Sequence, residues 1–236
     1  MTVDGKRWKE MAVKAAAELA IVVVGVTLAL WADDWVSERE SRSLEQARLR
    51  ALADNVDQTL IEIRRDLDAA VDAADALRRL ITEEHLPPEE QIDLVRYGLL
   101  YGPEFSPELN VYDDLKNSGE LALLTNPELR RWLARLDSSL ELLELAQADF
   151  TGMQHLQIDS FAVDHIDLPA IYSNYFGLDL QAADESALLE VIRNPRFRNR
   201  MMLKLDLTTY VDGRFRDTEE VLINVQSLIK IQLDES

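Results

Sequence analysis

Apolar positions along the chain fall into three patterns, and each predicts a different element. Residues 15–31 read AAAELAIVVVGVTLALW, seventeen residues with one charge, Glu18. With residues 11–14 the stretch reaches the ~20 residues a helix needs to cross a bilayer. Downstream, Leu60, Ile63, Leu67, Ala70, Ala74, Leu77 and Ile81 step alternately by three and four. That is the seam of a coiled coil or helical bundle. Leu49, Leu52, Val56 and Leu60 extend it upstream in steps of 3-4-4, a spacing that locally relaxes a left-handed supercoil. A third set, Leu129, Trp132, Leu133, Leu136, Leu140 and Leu143, marks another helix. In the last helix, Met202, Leu205, Thr209, Val221, Val225, Leu228 and Ile231 provide the expected inward face.

Breakers place the boundaries. No Pro or Gly interrupts the 56 residues from 31 to 86, so the membrane helix is expected to continue into a stalk of ~80 Å at ~1.5 Å per residue. Pro87-Pro88 ends it, and Glu89-Glu90 suit the first turn of a helix over about 89–101. Gly102-Pro103 and Ser106-Pro107 make a loop, and a short helix then closes at Ser118-Gly119, with glycine where a left-handed cap is needed. Thr125-Asn126-Pro127-Glu128 opens the next helix, with Pro at its first position and Thr-x-x-Glu as a capping box. It should continue to about 150–165 with Gly152 as a weak point, and Asn194-Pro195 should open the last helix. The expected fold is therefore all-α: a single N-terminal transmembrane helix continuing into a long stalk helix and an antiparallel helical bundle. Its divisions are a cytoplasmic N-terminus at 1–10, a transmembrane helix at 11–31, a stalk at 32–86, an acidic helical insertion at 87–126, and two long bundle helices at 127–236 with an irregular connection at 166–184.

Charge sets the topology. Residues 1–14 hold four basic and two acidic groups, leaving 21 of the 25 basic and 42 of the 44 acidic residues for the remainder. Lys and Arg are retained on the cytoplasmic side, while the other flank opens with Asp33 and Asp34, so the N-terminus is expected inside and the domain outside. In a bacterium that places the chain in the inner membrane with its main domain in the periplasm, or on the surface where there is a single membrane. The absence of cysteine fits an oxidising compartment. A cleaved secretion signal is the alternative, since a basic start, an apolar run and the triplet Thr27-Leu28-Ala29 would suit one. The carboxylate inside the run and the helical pattern beyond the cleavage point speak against it. So acidic a domain repels nucleic acid, leaving proteins, cations or neutral molecules as partners beside the lipid bilayer.

Within the anchor, Glu18, Gly25 and Ala29 share a face, with Lys14 one turn before Glu18. An ionisable group in a membrane helix faces protein or water, and a small-xxx-small pattern lets helices approach closely. A packing face for another copy or another membrane subunit is one reading; the other is that Glu18 reaches the headgroups and the small residues carry no role. Trp31 and Trp35 are the interface anchors. His155 and Asp159 lie four apart, and carboxylates flank His165, but no paired-histidine zinc spacing occurs. Neither a Gly-rich phosphate loop, a nucleophile elbow nor a cysteine nucleophile is present. Residues 82–128 carry eleven acidic against two basic groups, whereas residues 193–216 are predominantly basic, so one could dock on the other.

Two segments carry a resemblance. Ala17-Glu18-Leu19 followed by IVVVGVTLALWADDW resembles the "GE, apolar run, N-N-W" opening of a large uncharacterised family of bacterial single-pass membrane proteins, with Ala in place of the usual Gly and Ala32-Asp33-Asp34 where amides are common. Tyr112, Asp113, Leu115, Lys116, Ser118 and Gly119, followed by Asn126-Pro127-Glu128-Leu129-Arg130, resemble that family's "Y-x-x-L-K-S-S-G" segment before its next helix, and the chain from Phe197 onward is similar to its terminal segment. The resemblance implies the topology and no activity. Read from the residues, the 112–119 segment is a structural cap on the bundle or, with Gly102, Pro103 and Phe105, a surface for a partner. The expected function is that of a non-enzymatic, oligomeric, membrane-anchored extracytoplasmic scaffold or accessory subunit without cofactor or metal. The alternative is a periplasmic sensor-like ligand-binding bundle acting through a partner.

Overall fold

The computed structural model describes residues 4–83, 85–169, 171–172, 177 and 185–234, giving backbone alone for residues 4–21 and 185. All regular structure among them is helical: α1 (Asp4–Thr82), α2 (Pro88–Leu100), α3 (Asn110–Ser118), a 3-10 turn (Glu120–Leu123), α4 (Pro127–Met153), a π-helical turn (Gln154–Asp159), α5 (Ser160–His165), α6 (Glu185–Arg193) and α7 (Pro195–Asp234). The chain divides into two compact units, Met1–Arg50 and Ala51–Ser236.

The second unit is a bundle of α1, α4 and α7. Its α1 seam is the one the 3-4 spacing predicts, since Leu60, Ile63, Leu67, Ala70, Ala74, Leu77 and Ile81 are all buried. Leu52 and Val56 continue it. Cross-links set the directions. Asp57 of α1 accepts from Gln226 of α7, Arg64 pairs with Glu219 at 2.6 Å, and Arg198 donates to the Ile81 carbonyl at 2.7 Å. As one helix ascends the other descends, so α1 and α7 are antiparallel. The same holds for α4 and α7, where Gln232 donates to Thr125 at 3.0 Å and Lys204 to Gln154 at 2.7 Å.

The boundaries show how local chemistry ends and starts helices. α1 stops at Thr82, four residues before the expected end, and Leu86, directly before Pro87, is itself disfavoured in the helical region. Arg198 donates one N–H to the carbonyl end this leaves, at Ile81. At the start of α4 the cap is Asn126, not the Thr125 of the expected capping box. Asn126 Oδ1 accepts from the amides of Glu128 and Leu129 at 2.9 and 3.1 Å. Pro127 occupies the first helical position, which makes its predecessor the cap by geometry. Asn194 repeats the device before Pro195, accepting from the Arg196 amide at 2.8 Å.

The inward face of α7 differs from the sequence expectation. Met202, Thr209 and Ile231 are exposed, whereas Phe197, Met201, Lys204, Thr208, Val211, Phe215, Thr218, Leu222, Val225 and Ile229 are buried. The true seam alternates four and three throughout, but it contains a lysine and two threonines. A face drawn through apolar letters alone slides off it. The threonine hydroxyls need no outside partner, because Thr208 donates to the Lys204 carbonyl at 2.8 Å and Thr218 to that of Arg214 at 2.9 Å.

The connection expected to be irregular, 166–184, falls largely outside the described residues, although 168–169 and 171–172 are helical. Its Ile166 and Ile171 belong to a core that joins α2 and α6 to the bundle, with Leu77, Val95, Leu99, Ile158, Ile171 and Phe197 at its centre. Gly98 of α2 sets the approach: a Cβ built on it would stand 2.8 Å from Leu77 Cδ2. Leu77 is fully buried and has little room to yield. Gly98→Leu is therefore expected to destabilise the bundle by about 1–3 kcal/mol through overpacking, read as a lower Tm. An unchanged Tm would show that α2 can move away freely.

Candidate functional site

Three places carry the residues of interest. The first is the N-terminal part of α1. The side chains of Lys14 and Glu18 lie outside the described residues, and the described part of the expected span is 22–31. There Val22, Val23, Val24, Val26, Leu28 and Leu30 are each between 54 and 61% exposed, so the helix is apolar on every side and covered on none. Gly25 and Ala29 lie in this exposed surface, and a Cβ built on Gly25 meets nothing within 4 Å. The one hydroxyl in the stretch, on Thr27, donates to the Val23 carbonyl at 2.8 Å and so needs no water. Trp31 and Trp35 are exposed, with the Arg39 guanidinium 5.5 Å from the Trp35 ring centre. Among the described residues no helix is long and apolar enough to cross a membrane.

The second place is the 112–119 segment on α3. Tyr112 and Leu115 face inward, and the Tyr112 hydroxyl donates to the Leu133 carbonyl of α4 at 3.1 Å. Burial pushes that phenol up to about 12, with Asp137 adding to the shift. Lys116 places its ammonium 2.6 Å from both oxygens of Asp137, which holds its pKa above the usual lysine value. Ser118 donates to the Leu115 carbonyl at 3.4 Å, and Gly119 closes the helix with φ 77°, a left-handed conformation that suits glycine. Asp113 is exposed. Asn55 of α1 grips the other end, donating to the Glu108 carbonyl at 2.5 Å and accepting from the Val111 amide at 3.2 Å. The segment thus clasps α1 to α4. Tyr112, and Phe105 of the preceding loop, are buried, which leaves Asp113, Asp114, Lys116, Asn117 and Ser118 as its outward chemistry.

The third place was missed in the sequence because it sits in the polar part of the α7 seam. Lys204 is 1% exposed, and its amine donates to the Leu99 carbonyl at 3.0 Å and to Gln154 Oε1 at 2.7 Å. Gln154 is held in turn by its Nε2, which donates to Asp159 Oδ1 at 2.6 Å. The Phe150 ring centre lies 5.5 Å from the amine. Burial lowers the Lys204 pKa to about 7, and Asp159 opposes that shift. The π-helical turn is what makes the arrangement possible: one extra residue per turn after Gly152 rotates Gln154 and Asp159 toward α7, the kind of insertion that recurs at functional sites. The signal available in the sequence was the strict 4-3 phase from Phe197, which places Lys204 inside.

The histidines do not gather here. His155 Nε2 stands 3.9 Å from Asp159, His165 stacks on Phe161 with ring centres 4.3 Å apart, and His85 is exposed. No group of three or more potential metal ligands is assembled among the described residues. Elsewhere on the bundle, Asp93, Arg96, Tyr97, Leu100 and Tyr101 line a cleft of about 530 Å3.

No family profile, curated protein or solved structure matches this chain. What the geometry defines by itself is an all-helical protein with a bundle unit and an uncovered apolar helix.

Proposed function

We propose that the chain is a membrane-anchored, non-enzymatic scaffold or accessory subunit of a bacterial envelope complex. Residues 11–31 span the inner membrane, 1–10 face the cytoplasm, and the bundle is periplasmic. The observation that carries this reading is the exposure of residues 22–31 on all sides. A helix that is apolar all round requires lipid or protein around it, and each uncovered valine or leucine forfeits about 1.5–3 kcal/mol of burial. The satisfied hydroxyl of Thr27 and the tryptophans at 31 and 35 support a bilayer as the covering, as do the basic start and the resemblance to the "GE, apolar run, N-N-W" family. Glu18, Gly25 and Ala29 then form the face on which a second anchor, of this chain or of another subunit, packs.

Protease added to spheroplasts is expected to degrade the bundle while sparing an N-terminal tag, and carbonate washing to leave the protein in the membrane pellet. Full protection of the bundle, or release by carbonate, overturns the assignment. For the packing face, Gly25→Leu is expected to abolish crosslinks between anchors in intact membranes. Because nothing lies near Gly25 within the chain, the substitution leaves the fold itself untouched. Crosslinks at the original level would make the anchor a tether only.

A further inference from the structure

Lys204 sits where three parts of the bundle meet. Its amine donates to the Leu99 carbonyl in the last turn of α2 at 3.0 Å, and at 2.7 Å to Oε1 of Gln154, the first residue of the π-helical turn. Gln154 then reaches across that turn, because its Nε2 donates at 2.6 Å to Oδ1 of Asp159, the last residue. A side-chain bond from residue 154 to residue 159 has the same five-residue span as the backbone bonds of a π-helix, so it staples the turn. The staple is anchored on α7 through Lys204. A π-helical turn carries one residue more than α-helical winding accommodates and is the rarer form, and this one holds Leu156 75% exposed on its outer side.

Two acceptors suit the two N–H groups of a neutral amine, whereas the third N–H of an ammonium finds the Phe150 ring, its centre 5.5 Å away. A buried ammonium is stabilised most by a carboxylate in direct contact. Here the carboxylate stands one amide away, on a side chain that is 48% exposed and has room to move. Asp159 is also the charged group that acts on Lys204. Around the pair, His155 Nε2 lies 3.9 Å from Asp159, and Arg200 donates to the Gln157 carbonyl at 3.0 Å. The phenols of Tyr172, on which Asp159 acts, and of Tyr101, edge-on to Phe150, are both pushed up by burial, Tyr101 also by Asp66 of α1 and Asp212 of α7. Of these neighbours only His155 ordinarily titrates near neutrality.

We propose that Lys204, Gln154 and Asp159 form a proton-controlled latch on the π-helical turn. With the amine neutral, Gln154 bridges it to Asp159, and the staple holds the turn and the end of α2 on α7. When the amine takes up one proton from solvent, Asp159 swings inward to pair with the ammonium directly and Gln154 is displaced. The unstapled turn then relaxes toward α-helical winding, which rotates His155 and Leu156 about the helix axis. Burial, which lowers the lysine pKa to about 7, sets the pH at which this occurs. The latch stands apart from the membrane assignment, because it lies within the bundle unit alone.

The chain has no cysteine, so Leu156→Cys in the full-length protein, held in mild detergent, takes a nitroxide label at a single site. Its electron paramagnetic resonance line shape is expected to change through a one-proton transition centred near pH 7. A label on Ile61→Cys, at the exposed face of α1, should show no such change. Asp159→Asn keeps an oxygen to accept from Gln154 but removes the charge that favours the ammonium, so the midpoint should move to lower pH. Lys204→Met should abolish the transition, with far-ultraviolet circular dichroism checking that helix content is kept; if that variant does not fold, Asp159→Asn decides. His155→Gln should leave the midpoint in place. A line shape independent of pH, a transition that persists in folded Lys204→Met or vanishes with His155→Gln, or a midpoint unmoved by Asp159→Asn overturns the proposal.

Discussion

Leu77→Asp is expected to unfold the bundle. Leu77 has no exposed surface, lies in the core that joins α1 to α2, α6 and α7, and is the side chain against which Gly98 of α2 packs. Truncating such a leucine costs about 2–5 kcal/mol through lost burial and the cavity left behind. A carboxylate adds the penalty of a buried charge with no donor beside it. The total is comparable to the ~5–15 kcal/mol that stabilises a whole domain. Ile61→Asp, on the same helix at a position 63% exposed, should change stability by no more than about 0.5 kcal/mol. Thermal melts and urea titrations followed by circular dichroism make the comparison. Equal melting of the two variants would show that α1 is not packed as described.

The second large effect is on pH dependence. Lys204 has two hydrogen-bond acceptors at its amine, the Leu99 carbonyl and Gln154 Oε1, which match the two N–H groups of a neutral amine. The third proton of an ammonium meets only the face of Phe150, with Asp159 as the carboxylate that acts on it from the π-helical turn. Burial lowers the pKa from 10.5 in the exposed side chain to about 7 in the fold. Between those values the unfolded chain holds a proton that the folded chain has released, so unfolding takes one up. Stability then rises with pH, by at most about 1.4 kcal/mol per unit, and below about pH 7 the contribution rests at its floor. Lys204→Met removes this slope. It also strands two acceptors, at a cost of about 1–3 kcal/mol, so the diagnostic quantity is how the gap between the proteins changes with pH. From pH 6 to 9.5 the native protein should gain on the variant. A constant gap would mean that the amine stays charged throughout.

Much of the helical architecture was legible. The α1 seam needed only spacing, because its members are all leucine, isoleucine, valine or alanine and the burial they require is their own property. The Asn-Pro starts and the Gly119 stop were equally visible, since caps are decided within a few residues. Errors arose where local chemistry admits two choices. Thr125 and Asn126 can each cap a helix, and Pro127 selects between them. On α7, both Met202 and Met201 suit an inward position, and the partner helices select Met201 along with Lys204 and Thr208.

By itself, then, the sequence determined the helical class, the seam of α1, the Asn-Pro starts, the Gly119 stop and the existence of an apolar stretch at 15–31, all consequences of residue type and spacing within one element. The tertiary structure alone decided which face of α7 turns inward, that a lysine lies at its centre, and that the π-helical turn after Gly152 brings Gln154 and Asp159 to it. It also decided that Arg193, Arg198, Glu83 and Gln91 line one half-open pocket. A polar residue in a seam, or a rim built from three elements, depends on partners far away in sequence. No periodicity along one helix encodes the acceptor waiting on another.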